Sequence, residues 1–199
     1  MPDRTIPFYN IILKCSDYKS AQIHLPEGFR FRKFQKGDEK TWAVLEWEIG
    51  DFASLEEAEQ YFLSVYCSYR EEIEKRCIFV VDEKDRAAGS CIAWRDEKNG
   101  RLVSSLHWLV VSPACQGRKL GRALCQKTME IFQRMDGFPV YIHTQPWSYK
   151  AILLYIQQGF QLQITDTFSD YQNQYTQAMH TLKEILTKEQ YDTLTAHSV

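Results

Sequence analysis

The chain has 199 residues, 44% hydrophobic and 25% charged, with a formal net charge of −2. That length buries a full core in one domain without staples, and the near-neutral charge argues against a general nucleic-acid binder, which is normally basic. No apolar run is long enough to span a bilayer, residues 1–10 lack the plan of a signal peptide, and the six cysteines form no C-x-x-C pair, so no metal, no membrane and a reduced, cytoplasmic protein are expected.

Residues 6–13 form an apolar stretch able to make a strand, and Pro26, Glu27 and Gly28 mark a turn. Alternation over residues 29–34 predicts a strand. Asp38 is a candidate cap for a first helix carrying Trp42, Leu45 and Ile49, which Gly50 ends. Ser54 and Glu57 have capping-box spacing. Ala58, Phe62, Val65, Tyr69 and Ile73 make an apolar stripe that predicts a second helix running to about Lys75.

Three extended runs follow, at residues 77–81, 88–94 and 102–111. Asn99-Gly100 is a strong hairpin signal between the last two. The pattern then turns helical, with Leu120, Ala123, Leu124, Ile131, Phe132 and Met135 on one face. A strand at 140–144, a helix at 148–158 and a strand at 160–165 complete an α/β layered arrangement. Beyond Asp166 the chain is mostly polar. Ala178, Leu182, Ile185 and Leu186 suggest one helix there, and Thr187 caps a last one.

The stretch from Leu109 to Cys125 reads LVVSPACQGRKLGRALC. A buried strand ends at Pro113, and a turn with glycine and basic residues opens a helix. The first turn of a helix presents unpaired N–H groups and a positive dipole end, which suit phosphate. Gly117 and Gly121 let a ligand approach the backbone. Arg118, Lys119 and Arg122 add positive charge. The alternative is an ordinary strand-turn-helix connection with solvated basic side chains. Neither a P-loop nor a G-x-G-x-x-G fingerprint is present.

Gln116 to Gly121, Q-G-R-K-L-G, resembles the acetyl-CoA motif Q/R-x-x-G-x-G/A of the GNAT superfamily of N-acetyltransferases. Lys119 stands where the middle glycine is usual, and the overlapping frame R-K-L-G-R-A from Arg118 also fits. Residues 148–160, SYKAILLYIQQGF, are similar to the family's N-x-x-A-I-x-L-Y-x-x-x-G-F segment, with Ser148 in the asparagine position. The resemblance covers about residues 29–165. It implies an α+β fold with a mixed, mostly antiparallel sheet of six to seven strands flanked by helices. Residues 28–165 would form the acetyltransferase domain, 1–27 an N-terminal extension and 166–199 a helical tail. A seventh strand after the sixth is not evident.

The resemblance further implies acetyl-CoA as acyl donor and a small-molecule or peptide amine as acceptor. The backbone of Leu109, Val110 and Val111 is expected to pair with the pantetheine arm like an added strand. The amides of Gln116, Gly117, Arg118, Lys119, Leu120, Gly121 and Arg122 are expected to hold the diphosphate. Tyr155 matches the family's tyrosine and is the candidate acid, a core tyrosine being the alternative. His107 is the candidate base, placed by strand parity on the face of Leu109 and Val111, with a core histidine beside Trp108 as the alternative. Ser105 is a candidate water holder. Ser148 either contacts the coenzyme or caps its helix. Trp47, Glu48, Asp51, Phe52 and Trp94 are candidate acceptor-pocket residues, or equally a solvated helix end with core tryptophans. A non-catalytic acyl-CoA sensor and an interaction module, one able to form a homodimer, are the competing readings.

Overall fold

The computed structural model describes Asp3 and residues 5–199. Among the described residues seven strands form one sheet in the order β2-β3-β4-β5-β6-β1-β7. The strands are β1 (Ile11–Cys15), β2 (Phe29–Lys33), β3 (Cys77–Asp82), β4 (Ala87–Lys98), β5 (Arg101–Val111), β6 (Val140–Thr144) and β7 (Gln161–Leu162). The helices are α1 (Asp38–Ile49), α2 (Leu55–Tyr66), α3 (Arg70–Arg76), α4 (Leu120–Arg134), α5 (Tyr149–Gln157), α6 (Tyr175–Ile185) and α7 (Lys188–Ala196). The chain divides into two compact units, with β5 passing from one to the other at Ser105.

The first unit comprises Ser20–Trp94 and Leu106–Ile131. Its β2, β3 and β4 pair antiparallel. Period-two alternation sends Cys77, Phe79 and Val81 of β3 to one face, where they pack with Trp42, Leu45, Phe62 and Tyr66 of α1 and α2. On α4, Arg118 just ahead of the helix and Lys127 within it lie over the rings of Phe29 and Phe31 of β2, at 5.8 and 5.7 Å. Two local expectations change. Gly37, at φ 102°, is the N-cap of α1 and Asp38 its first residue. The Asp38 carboxylate instead accepts the Gln35 N–H at 2.7 Å and a forked pair from Arg32. The second helix also breaks after Tyr66 into a 3-10 turn, Cys67–Tyr69, before α3. The inward stripe is Ala58, Phe62 and Tyr66 at i, i+4 spacing, while Tyr69 is exposed. Ser54 caps α2 as its spacing predicts, accepting the Glu57 N–H at 3.1 Å.

The second unit holds the N-terminal segment through Lys19, Arg95–Ser105 and Phe132–Val199. Asn99 and Gly100 both adopt positive φ, the mirror-image turn that joins β4 and β5. β5 pairs parallel with β6 through Ser104 and Ser105. β1 runs antiparallel to both β6 and β7. The strand not evident after the sixth is therefore supplied by the N-terminal segment, which inserts Ile11–Cys15 into the sheet. The strand starts later than residue 6, and Asn10 at its head gives its N–H to the Gln174 side chain. The strand expected at 160–165 shortens to Gln161–Leu162, whose outer edge pairs with His197 and Val199 at the chain's end. Asp166 ties this unit together: it accepts from Lys98, from Lys14 at 3.3 Å and from the Tyr141 hydroxyl at 3.1 Å. Thr187 and Gln190 complete the capping box of α7.

Candidate active site

Consider first the turn between β5 and α4. Proline 113 opens a short 3-10 turn to Cys115, whose N–H bonds Ser112 O at 2.8 Å. The chain then runs exposed through Gln116, Gly117, Arg118 and Lys119. Gly117 has φ 79° and Lys119 φ 64°. Both sit in the left-handed region that glycine adopts without cost. Lys119 thus keeps the backbone shape of the glycine expected at its position. The first α4 bond runs from the Ala123 N–H to Lys119 O at 3.2 Å. Among the described residues, the N–H groups of Gly117, Arg118, Lys119, Leu120 and Gly121 have no protein acceptor. Five neighbouring donors at a helix start make a cradle for an anion.

A side chain in the left-handed region costs roughly 1–2 kcal/mol, partly offset in Lys119→Gly by the looser unfolded chain. Thermal melts are therefore expected to show Lys119→Gly neutral or stabilised by up to about 1 kcal/mol, and β-branched Lys119→Val destabilised by about as much.

The strand ahead of the cradle is bent. Trp108, inside β5, has φ 50°. Alternation fails there, so consecutive side chains both reach α2: the His107 Nδ1 lies 2.8 Å from the Tyr66 hydroxyl, and the Trp108 ring centroid lies 5.3 Å from that of Tyr61. The parity that placed His107 with Leu109 and Val111 does not carry across Trp108. Tyr66 fixes the imidazole, and its signal in the sequence was the 58-62-66 spacing. Val110 is buried in the α1–α2 core, while Leu109 and Val111 are half-buried. The Val111 carbonyl accepts from the Gln116 side chain at 3.2 Å. Gly89 of β4 faces Val110: a Cβ there would lie 2.5 Å from the Val110 oxygen.

The α1 residues separate. Trp47 is exposed, Glu48 accepts from the Ser112 hydroxyl at 3.2 Å, and Trp94 is buried edge-on to Tyr66. Phe52 packs with Trp42, Tyr61 and Trp108. Sequence reasoning missed Glu46, 1% exposed on the inner face of α1. Burial, with Asp51 adding repulsion, pushes its pKa well above the ordinary carboxylate range. A carboxyl raised in this way contributes stability that is full below its unfolded pKa and is lost as pH rises through the folded one. Glu46→Gln keeps the shape and cannot ionise. It is expected to gain in melting temperature over the native protein on going from about pH 5 to about pH 8, and a pH-independent difference would count against the assignment.

In the second unit, Tyr155 is buried on α5, its ring 5.8 Å from that of Phe160. Ser148 precedes α5 but makes no side-chain cap, and its hydroxyl accepts from the Gln145 amide at 2.9 Å. Ser105 is fully buried and donates to Asp96 at 2.5 Å. Its hydroxyl is engaged there, and Asp96 was not singled out from the sequence. Among the described residues no cluster of His, Cys, Asp or Glu is placed to hold a metal ion. No helix among them is long and apolar enough to cross a membrane.

The family model for the GNAT acetyltransferases matches residues 41–160. The chain belongs to the GNAT acetyltransferase family. Solved structures agree in fold. A GCN5-related N-acetyltransferase from Sphaerobacter thermophilus superposes with a TM-score of 0.61 at 23% identity, over 78% of this chain and 49% of that one. The chain thus spans about half the length of that protein. Glucosamine-6-phosphate N-acetyltransferase from Arabidopsis thaliana gives a TM-score of 0.52 at 18% identity, over 75% and 99%. The NatC complex bound to Gag peptide and CoA gives 0.50 at 18% identity, over 65% and 82%. No curated protein matches the chain. The GNAT fold, with its seven-stranded mixed sheet, is the one expected from the sequence motifs.

Proposed function

We propose that this GNAT protein is a cytoplasmic N-acetyltransferase that binds acetyl-CoA and passes its acetyl group directly to an amine. The observation that carries the reading is the row of unpartnered amides from Gly117 to Gly121, held open by left-handed turns at Gly117 and Lys119. Bound there, acetyl-CoA supplies the activated thioester. Arg118, steadied over Phe29, adds charge beside the amides. Leu109 and Val111 offer main-chain groups to the pantetheine arm. A CoA-bound neighbour of the same fold supports the choice of coenzyme.

The chemistry needs two proton transfers. An attacking alkyl amine, with a pKa of about 10 in water, must shed a proton. His107 is our base, acting directly or through water, and the contact of its Nδ1 with the Tyr66 hydroxyl at 2.8 Å orients the ring. Tyr155 is our acid, donating its phenolic proton to the departing sulfur. The register of the SYKAILLYIQQGF segment supports that role. Ser148, paired with Gln145, is proposed as a coenzyme contact.

Thiol release with a panel of amines tests the enzyme reading, and calorimetry with acetyl-CoA tests the binding one. Tyr155→Phe is expected to lower kcat by about 100-fold while acetyl-CoA affinity changes by less than about twofold. Equal rates for variant and native protein would remove Tyr155 as the acid.

A further inference from the structure

Within the first unit, the end of β5 is fastened to α1 by alternate residues. From the left-handed turn at Trp108 onward, the side chains of residues 108, 110 and 112 meet that helix or its core. The Trp108 ring stands edge-on to Trp42, with centroids 5.5 Å apart. Val110 is buried in the core that Trp42, Ala43 and Leu45 share. The Ser112 hydroxyl donates to Glu48 Oε2 at 3.2 Å. Trp42, Leu45 and Glu48 follow one another at i, i+3 spacing and so line one face of α1. Two of these fastenings are apolar. The third, Glu48 with Ser112, is polar and comes just before the turn with the open amides.

Ser112 is a junction. Its N–H bonds the Ala88 carbonyl of β4 at 2.9 Å, and its carbonyl accepts the Cys115 N–H at 2.8 Å. The first bond holds it to the sheet, and the second starts the 3-10 turn that leads to Gly117. Only the bond to Glu48 runs through a side chain. Glu48 also brings negative charge to a strand end that precedes an anion cradle, which is the wrong sign for a diphosphate. Its hydrogen bond, and not its charge, is what the site uses.

We infer that Glu48 is a positioning residue of the coenzyme site, a role that rests on the acetyl-CoA reading given above. Acting through Ser112, it fixes where the strand stops and the turn begins. The five amides from Gly117 to Gly121 are thereby aligned before the diphosphate arrives, and preorganised donors lose less freedom on binding.

Calorimetry with acetyl-CoA tests this on Glu48→Ala, Glu48→Gln, Ser112→Ala and the double variant of the two alanine changes. A thermal melt on each sample confirms that it is folded. Losing the bond is expected to raise the acetyl-CoA Kd about fivefold in Glu48→Ala and in Ser112→Ala. The double variant is expected to match either single one, because both remove the same bond. Glu48→Gln keeps a carbonyl acceptor and is expected to stay within about twofold of the native protein. A residue acting by charge alone would show the opposite sign, with both Glu48 variants binding the anionic coenzyme more tightly. That result overturns the inference, as does native-like affinity in Glu48→Ala or losses that add in the double variant. If Glu48→Ala does not fold, Ser112→Ala decides, since it removes only a hydroxyl: native-like affinity there overturns the inference. In each of these cases native protein still binds acetyl-CoA, and the coenzyme reading stands. Native protein that fails to bind acetyl-CoA overturns that reading and the inference with it.

Discussion

Gly121→Glu is expected to weaken acetyl-CoA binding by about 100-fold or more while leaving the fold intact. The substitution sets a carboxylate in the first turn of α4, beside the open amides of residues 117–121. A diphosphate in that cradle meets like charge and loses the close approach that a glycine allows. The helix itself gains, since glutamate is a better helix former by about 0.5–1 kcal/mol and suits the positive end of the dipole. Binding and stability therefore move in opposite directions. Calorimetry and a thermal melt on the same sample check both. A variant that binds like the native protein removes the cradle from the coenzyme site.

Gly89→Ala is expected to destabilise the protein by about 2–3 kcal/mol, read from denaturant unfolding. The new Cβ would stand 2.5 Å from the Val110 oxygen, 3.0 Å from a Leu124 methyl and 3.3 Å from the Val111 Cα. Two of those neighbours are backbone, which cannot swing aside as a side chain can. Any relief displaces the end of β5, so acetyl-CoA affinity is expected to fall along with stability. An unchanged unfolding midpoint would mean that β4 and β5 are further apart at this point than the structure has them.

Much of this was legible from residues. The 3.6 and 2.0 periodicities gave α1, α4, α6 and β3 to β6 to within a few positions, because each element buries one continuous apolar face. Gln116 to Gly121 and the segment from Ser148 to Phe160 gave the family. Other features were hidden because they depend on partners remote in the chain. Nothing local in residues 11–15 says that they pair with β6 and β7. The 3-10 break comes directly after Tyr66, which is held by the remote partners His107 and Trp94. Strand parity misplaced His107 because the left-handed turn at Trp108 carries no glycine to announce it. Glu46 was invisible for the opposite reason: a glutamate on a helix is usually solvated, and only the fold shows that this one is not.

The role given to the α4 cradle can be read amide by amide. Titrating CoA into 15N-labelled protein is expected to move the backbone resonances of Gly117, Arg118, Lys119, Leu120 and Gly121 furthest, saturably and together. If those signals stay in place while others respond, or if nothing saturates, the helix start does not hold the diphosphate and the acetyltransferase reading loses its physical basis.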